Sequence, residues 1–228
     1  MDKTNKIYTK EYYVASIDLL GMKTIIKSDI NDVALNNINE IYESLRRVFN
    51  HPLDNCIKIK FFSDNCVVAI DATIPSAIDV LLDETAWICS RFLVCGYKPR
   101  GGISVGRFYM NNTFVWGQGL VNAYMLESKI AKYPRIIIDE NIVENISNNF
   151  IDRIICKDFD DKLYLNYFRV SGMTRNEWLN DINEILNKLN SELESISQET
   201  NENDDIKSKL EWLLKFVNEN KLFWENHN

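Results

Sequence analysis

The sequence predicts an α+β fold: a ferredoxin-like, antiparallel-rich sheet with helices on one face, followed by a C-terminal helical extension. Residues 12–20, 57–71 and 100–106 have the composition of strands, and segments with helical periodicity at 32–49 and 75–96 connect them. Both long helices join segments that we expect to be neighbours in one sheet. The chain has 228 residues, 46% of them hydrophobic, which is enough to bury the core of one domain.

A predicted β-hairpin at residues 57–71 is the segment around which we expect the other elements to be arranged. Its first strand alternates apolar and basic residues, and its tip consists of turn-forming residues, Ser63-Asp64-Asn65. Asp64 therefore places a carboxylate at the tip, and the apolar strand at 12–20 brings a second one, Asp18. The side chains predicted to face opposite sides of the sheet are Ile57, Ile59 and Phe61 on one side and Lys58, Lys60 and Phe62 on the other.

The other elements of the predicted core follow in chain order. Pro75 opens the second long helix and Gly96 closes it. The strand at 100–106 is interrupted by glycines, which permit close approach of a ligand or of another backbone. It is followed by a ribbon that turns at Asn111-Asn112, a helix at 117–131 and a strand at 135–139.

We divide the chain into a core at residues 1–140 and a C-terminal part at residues 141–228. The two helices at the end of the chain have amphipathic spacing, so we expect a helical hairpin that packs on the same domain or on a partner chain. The elements predicted for this part are short strands at 153–156 and 163–168, a helix from Trp178 to Leu193, a polar acidic connector at 197–205 and a final helix from Ile206 to Val217.

Composition and charge exclude several classes of function. A formal net charge of −7 argues against nucleic-acid binding, which relies on neutralisation of phosphates by Lys and Arg. The sequence starts without a signal-peptide pattern and no apolar run reaches membrane-spanning length, so we expect a cytoplasmic protein with no membrane partner. The five cysteines form no close-set ligand cluster, and we expect reduced thiols.

The acid pair is the strongest candidate for chemistry. If their strands are neighbours, Asp18 and Asp64 converge, and two carboxylates about 4 Å apart repel each other by roughly 4 kcal/mol at an effective dielectric constant near 20. A divalent cation removes that repulsion, and Mg²⁺ prefers carboxylate oxygens combined with substrate phosphates. The pattern alone leaves a second interpretation open, in which Asp18 caps the turn at 22–28 and Asp64 is only a turn former.

Four segments resemble the motifs of class III nucleotide cyclases and occur in the same order. The resemblance covers residues 12–139, with Ser63 in place of a glycine, and it implies the class III cyclase catalytic fold. The segments are Ile17-Asp18-Leu19-Leu20-Gly21-Met22, similar to the first metal motif; Lys60-Phe61-Phe62-Ser63-Asp64, similar to the Lys-x-x-Gly-Asp hairpin; Arg100-Gly101-Gly102-Ile103-Ser104-Val105-Gly106, similar to the Arg-x-Gly-Ile-x-x-Gly strand; and Val115-Trp116-Gly117 with the helix after it, similar to the element that carries transition-state residues.

Three segments further resemble the pyrimidine cyclases of the bacterial Pycsar anti-phage system. This resemblance implies a cyclic pyrimidine mononucleotide that serves as a second messenger and is read by a separate cyclic-nucleotide effector protein. The helices of the C-terminal part lie outside the match. The segments are the doubled glycine after Arg100, Ala123-Tyr124-Met125-Leu126-Glu127-Ser128 and Pro134-Arg135-Ile136-Ile137-Ile138.

The class III resemblance implies a role for individual residues. Asp18 and Asp64 would bind two Mg²⁺ or Mn²⁺ ions, with the Leu19 carbonyl as a further ligand. Arg100 falls where the family contacts the triphosphate, and Lys60 falls where adenylate cyclases hold a base-reading lysine. In the family the site lies between two subunits, so the resemblance also implies a homodimer; Lys60 and Phe62 on the sheet face away from the helices suit that arrangement.

The helix at 117–131 departs from the family pattern. Its usual asparagine and arginine would fall at Val121 and Met125, neither of which can stabilise a charged transition state. The candidates to replace them are Asn122, Tyr124 and Lys129.

The residues around the predicted base pocket favour a pyrimidine. Phe114 stands where adenylate cyclases place an adenine-reading aspartate, which disfavours adenine. The aromatic residues Phe62, Trp116 and Tyr124 would narrow the pocket further and exclude a two-ring base. We therefore expect an enzyme that converts UTP, in preference to CTP, to the 3′,5′-cyclic monophosphate and pyrophosphate.

Two other classes of function compete with this hypothesis. The first is a cyclase-fold module that binds a nucleotide or a partner without turnover, which the missing helix arginine supports. The second comprises diguanylate cyclases and polymerase palms, which share the sheet and an acid pair but have a glycine-glycine-acid-acid-phenylalanine hairpin that is absent here. His51 and His227 lie outside every motif, so we expect no histidine-based mechanism.

Overall fold

A computed structural model describes residues 6–48, 56–170, 172–196 and 201–227 of the chain. One sheet runs through it in the order β2-β3-β1-β4-β6-β8-β7, with β5 paired to β4 as a ribbon. All of its pairings are antiparallel except β4 with β6. The strands are β1 (Lys10–Leu20), β2 (Ile57–Phe62), β3 (Asn65–Asp71), β4 (Lys98–Met110), β5 (Val115–Gly117), β6 (Ile136–Ile138), β7 (Ile155–Lys157) and β8 (Leu163–Leu165).

The first five helices lie between strands, and the last two follow the final strand. Within the described residues, none of them combines the length and the apolar character needed to cross a membrane. The helices are α1 (Met22–Ser28), α2 (Val33–Val48), α3 (Ala77–Val94), α4 (Gln118–Lys129), α5 (Asn148–Ile154), α6 (Arg175–Ser195) and α7 (Asn201–Asn226), with a 3₁₀ helix at Glu140–Asn145. The α+β class and the C-terminal helices expected from the sequence are confirmed.

Alternate residues of the central strands pack on opposite faces of the sheet. On one face, Ala15 and Ile17 of β1 belong to the large core that also contains α3, α6 and α7. On the other face, Tyr12 and Val14 of β1 belong to a smaller cluster with side chains from β3 and β4. The hairpin follows the predicted alternation, because Phe61 packs on Phe92 of α3 whereas the lysines of β2 point to the second face.

Helix α4 lies on the second face, opposite α3. The sequence analysis expected helices on one face, and α4 departs from that expectation because glycines let it lie directly on the sheet. A Cβ atom on Gly102 would come within 2.4 Å of the Ala123 carbonyl oxygen, and one on Gly119 within 3.1 Å of a Val14 methyl group. The missing side chains therefore place α4 against β4 and β1.

The C-terminal part continues the same sheet and the same core. Strands β8 and β7 extend the sheet beyond β6, and the α6–α7 hairpin packs with Trp178 and Phe216 buried in the large core. Ion pairs join α6 to the rest of the domain, Asp181 to Arg91 at 2.5 Å and Glu192 to Lys98 at 2.8 Å.

Several predicted boundaries in this part differ from the structure, and the final helix, predicted to end at Val217, continues to Asn226. Arg153 and Ile154 belong to the last turn of α5, so β7 starts at Ile155. The strand predicted at 163–168 ends at Leu165. Helix α7 begins at Asn201, so residues 201–205 of the predicted connector are helical, and residues 197–200 lie outside the described part of the chain. Acidic residues such as Asp204 and Asp205 stabilise a helix start, because the helix dipole is positive there.

Candidate active site

The hairpin tip is hydrogen-bonded to the end of β1. Asp18 pairs with Asn65 of β3 on one side and with Arg100 of β4 on the other. The Leu19 N–H donates to the Asp64 carbonyl oxygen at 3.0 Å, and the Asn65 side-chain amide donates to the Asp64 carboxylate at 3.0 Å. The two predicted strand ends are therefore neighbours, and both acids lie at the same edge of the sheet.

The Leu19 carbonyl faces the same way as its N–H. In an antiparallel ladder, the N–H and C=O of one residue point toward the same neighbouring strand. Since the Leu19 N–H bonds to the hairpin tip, the Leu19 carbonyl points toward the tip as well. On β4, the residue opposite Leu19 is Pro99, which has no N–H that could bond to this carbonyl.

Both acid motifs contain a residue in the left-handed region of backbone conformation. Gly21, with φ +81°, allows the chain to leave β1 and enter α1. Ser63, with φ +57°, occupies the position where the cyclase hairpin carries glycine. The turn thus requires the conformation that glycine adopts without cost, and the serine is held in it by the hairpin.

Arg100 is shared between two carboxylates. Its guanidinium lies 2.9 Å from Asp18 and 2.9 Å from Glu127 of α4. The Glu127 side chain is only 3% exposed. The Nε–H of Arg100 has no hydrogen-bond partner among the described residues, so the guanidinium keeps a free donor.

Burial and mutual repulsion act on the carboxylates together. Burial raises the pKa of Asp18, Arg100 opposes that change, and the charge of Asp64 adds to it. Burial also raises the pKa of Glu127, again opposed by Arg100 and reinforced by Asp18 and Asp64. Since these pKa values lie above those of the unfolded chain, both carboxylates favour the folded state in acid, and this contribution is lost as the pH rises. Counted as formal charges, three carboxylates face one guanidinium at this edge of the sheet.

Glu127 was not predicted as a site residue. It stands on α4 four residues after the buried Ala123, which itself follows Gly119 by four, so the three share the helix face that lies on the sheet. The feature of the sequence that could have identified Glu127 is a glutamate on the same helix face as two small residues. Its meaning depends on the close approach of α4 to Gly102, which puts the carboxylate beside Arg100.

The structure places Lys60 at the ribbon. Its ammonium donates to the Asn111 carbonyl oxygen at 2.7 Å, and Lys58 donates to the Met110 carbonyl oxygen at 3.1 Å. Phe62, two residues after Lys60 on β2, is exposed. The two lysines therefore tie the β4–β5 ribbon to β2.

The remaining predicted residues are spread over the ribbon and α4. Phe114, Trp116 and Tyr124 are all exposed, and Trp116 is 69% exposed. The Asn122 amide donates to the Val105 carbonyl at 3.3 Å and accepts from Gln118, so it is engaged within this chain. Lys129 lines a cavity of about 260 Å³ at the C-terminal end of α4.

The oxygen atoms at the sheet edge fit a hard divalent cation. Mg²⁺ and Mn²⁺ sites in phosphate-transferring enzymes use one or two carboxylates and take further ligands from water and substrate phosphates. Asp18, Asp64 and the Leu19 carbonyl supply that type of donor, and their surplus charge favours a cation. No group of three or more His, Cys, Asp or Glu side chains with metal-binding geometry occurs in the described ranges. His227 stacks on Phe223 at the end of α7, and His51 lies outside those ranges.

Solved nucleotide cyclase domains are similar to this fold. The adenylyl cyclase CyaB from P. aeruginosa superposes with a TM-score of 0.52 at 15% identity, over 69% of this chain and 93% of that one. The catalytic core of a rhodopsin-guanylyl cyclase with converted specificity, in complex with ATPαS, gives 0.51 at 12% identity, over 69% and 96%. A bacterial light-regulated adenylyl cyclase gives 0.50 at 12%, over 81% and 59%.

The chain has the class III nucleotide cyclase catalytic fold. No protein-family model matches its sequence, and no curated protein is similar to it at a significant level. At 12–15% identity the similarity concerns the fold, and activity has to be argued from the residues of the site.

Replacing Gly102 with alanine tests whether the approach of α4 builds the site. The added methyl group would meet the Ala123 carbonyl oxygen at 2.4 Å and the Leu126 Cβ atom at 2.5 Å. We expect a loss of about 1–3 kcal/mol in the free energy of unfolding, measured in urea, because the helix must move away from the strand. Val121→Ala, on the exposed side of α4, is the matched control and should change stability by less than about 0.5 kcal/mol. Equal stability of Gly102→Ala and the wild type would contradict the packing argument.

Proposed function

We propose that the protein is a metal-dependent nucleotidyl cyclase that converts a nucleoside triphosphate to its 3′,5′-cyclic monophosphate and pyrophosphate. The observation that carries the proposal is the meeting of Asp18, Asp64 and Arg100 at one sheet edge. The class III resemblance would place the bound nucleotide at these two acids, which repel each other unless a cation binds. An arginine lies directly beside them.

The proposed reaction is an in-line displacement at the α-phosphorus. The ribose 3′-hydroxyl loses its proton to solvent water as its oxygen forms the new bond to the α-phosphorus, and the bond to the bridging oxygen breaks as pyrophosphate leaves with the electron pair. Asp18 and Asp64, with the Leu19 carbonyl, would hold two Mg²⁺ or Mn²⁺ ions. When bound, such ions lower the pKa of the 3′-hydroxyl and neutralise the triphosphate. Arg100 would bind phosphate oxygens through the donor that Asp18 now occupies.

For the base, we propose a pyrimidine, with UTP preferred to CTP. We propose that the exposed aromatic side chains Phe62, Phe114, Trp116 and Tyr124 line the base pocket, where their bulk would exclude a two-ring base. Uracil offers an acceptor oxygen where cytosine offers a donor amine. A donor such as Lys60 or Asn122 released toward the base would therefore favour uracil, because cytosine would leave that donor unpaired. The proposed product is an anti-phage second messenger that a separate effector protein reads.

We propose further that the active species is a homodimer with sites shared between subunits. Phe114 and Trp116 on the ribbon and Val121, Tyr124 and Met125 on α4 are exposed apolar side chains on adjacent elements. A monomer would leave this surface in water, whereas a two-fold dimer would cover it. In such a dimer one subunit would supply Asp18, Asp64 and Arg100, and its partner would supply the base contacts.

A second candidate function is nucleotide binding without turnover. Val121 and Met125, at the helix positions of the usual transition-state residues, are exposed and uncharged, and Arg100 is already bound by two carboxylates. Under this alternative the protein binds nucleoside triphosphates with Mn²⁺ but releases no pyrophosphate.

Incubation of the pure protein with each of the four nucleoside triphosphates and Mn²⁺ tests the proposed function directly. We expect cyclic UMP and pyrophosphate as the main products, with kcat/KM for UTP about 5- to 150-fold above that for CTP. ATP and GTP should react far more slowly because the pocket excludes their bases. CTP ahead of UTP would reverse the choice of base, ATP or GTP ahead of both would remove the pyrimidine assignment, and binding without any product would favour the second candidate.

Neutralising either acid tests the metal assignment. We expect Asp18→Asn and Asp64→Asn to reduce turnover to the background, since each removes a ligand at constant volume. The metal-free proteins should melt at or above the wild-type temperature, because the substitution relieves repulsion between carboxylates. Asp152→Asn, on the exposed surface of α5, controls for the loss of one charge. Near-wild-type turnover in either acid variant would exclude the assignment.

Mixing two inactive variants tests the shared site. Asp64→Asn and Lys60→Met carry lesions that we assign to different subunits of one site, so an equal mixture should recover about a quarter of the wild-type activity: half the dimers are mixed, and each has one intact site of two. Asp64→Asn with Arg100→Met is the matched control. Arg100 contacts Asp18 of its own chain, so this pair damages the same half of the site and should recover nothing. Monomers alone in sedimentation at assay concentration, or equal recovery in both mixtures, would rule out the proposed sharing.

A further inference from the structure

Glu127 is a buried carboxylate that the proposed reaction does not use. It is 3% exposed, and its partner is the Arg100 guanidinium at 2.9 Å. Such a group is costly to bury unless it is paired. The main chain of α4 fixes its position, because Ala123 and Leu126 leave no space for even a methyl group between the helix and Gly102.

Arg100 has a second partner, Asp18, that the proposed function assigns to the metal ions. The three carboxylates of the site, Asp18, Asp64 and Glu127, influence one another electrostatically, and the only cation bonded to any of them in the described structure is the Arg100 guanidinium. Without metal, Arg100 therefore neutralises part of the charge that a divalent cation would neutralise. A cation bound to Asp18 would compete with Arg100 for that carboxylate and repel its charge.

We infer that Glu127 is the positioning residue of Arg100: it keeps the guanidinium beside the acid pair when a divalent cation takes Asp18 from it. This inference rests on the proposed function, since it assumes that Asp18 is a metal ligand. With Glu127 in place, Arg100 loses one of its two ion pairs when the cation binds and keeps the other. The donor freed from Asp18 is then available to phosphate oxygens while Glu127 still holds the guanidinium.

Two other roles of Glu127 give different outcomes. If it were itself a metal ligand, its loss would weaken metal binding whether or not Arg100 is present. If it served only folding, its loss would lower the melting temperature without changing metal affinity. The positioning role alone makes the effect on metal binding depend on Arg100.

The experiment is a double-substitution cycle read by Mn²⁺ binding to the nucleotide-free protein, measured by electron paramagnetic resonance. We expect Glu127→Gln to weaken Mn²⁺ binding about tenfold, because Arg100 is then held by Asp18 alone and competes fully with the ion. Arg100→Met should strengthen Mn²⁺ binding. In the Arg100→Met background, Glu127→Gln should change the affinity by less than about threefold. A tenfold loss in both backgrounds, or no loss in either, would overturn the inference.

Turnover provides the second readout. At saturating Mn²⁺, Glu127→Gln should lower kcat/KM about 10- to 100-fold, the range for loss of a hydrogen bond to a charged group. Arg100→Met is itself inactive, so this readout uses the single Glu127→Gln variant. The matched control is Asp79→Asn, a buried carboxylate of α3 that accepts from the Ser147 N–H away from the site; it should leave Mn²⁺ affinity unchanged.

The Mn²⁺ measurement separates failure of this inference from failure of the proposed function. If the protein cyclises no nucleotide but the effect of Glu127→Gln on Mn²⁺ affinity depends on Arg100 as expected, the positioning role stands and the proposed activity fails. If the protein cyclises UTP but Glu127→Gln changes the Mn²⁺ affinity equally with and without Arg100, the proposed activity stands and the positioning role fails.

Discussion

The arrangement of Arg100 between Asp18 and Glu127 is the interaction on which the rest of the site depends. The fold brings three carboxylates to one sheet edge, and burial makes the negative charge of Asp18 and Glu127 more costly than it would be in water. One guanidinium, 2.9 Å from each of these two, offsets part of that cost. Under the proposed function, a divalent cation would neutralise the negative charge that remains.

That arrangement requires α4 to lie almost in contact with the sheet. The distances at Gly102, Gly106 and Gly119 leave no room for side chains, so the helix backbone itself forms the contact with β4 and β1. A helix held farther out by larger residues would carry Glu127 away from Arg100. The glycines of β4 and the small residues on the inner face of α4 therefore act together, because both are needed to bring the Glu127 carboxylate to Arg100.

The C-terminal part contacts the strands that carry the site. Strands β8 and β7 prolong the sheet, and the α6–α7 hairpin shares the core with α3. Glu192 of α6 binds Lys98, two residues before Arg100. At β6, the fully buried Arg135 is paired with Asp158 and Asp160, and the Trp212 indole of α7 donates to Asp158 at 3.0 Å. The extension is thus joined by charge and packing to the strands that carry the site.

The sequence by itself determined the local features: the alternation along β2, the turn at Asp64, the acid at the end of β1 and the order of the elements. Each of these depends on residues within a few positions of one another, so periodicity and turn chemistry are sufficient to predict them. The tertiary structure decided which face α4 covers, that Lys60 binds the ribbon at Asn111, and that Glu127 meets Arg100. These contacts join residues far apart in the chain, and they exist because distances between backbones, which no local pattern encodes, bring the side chains together.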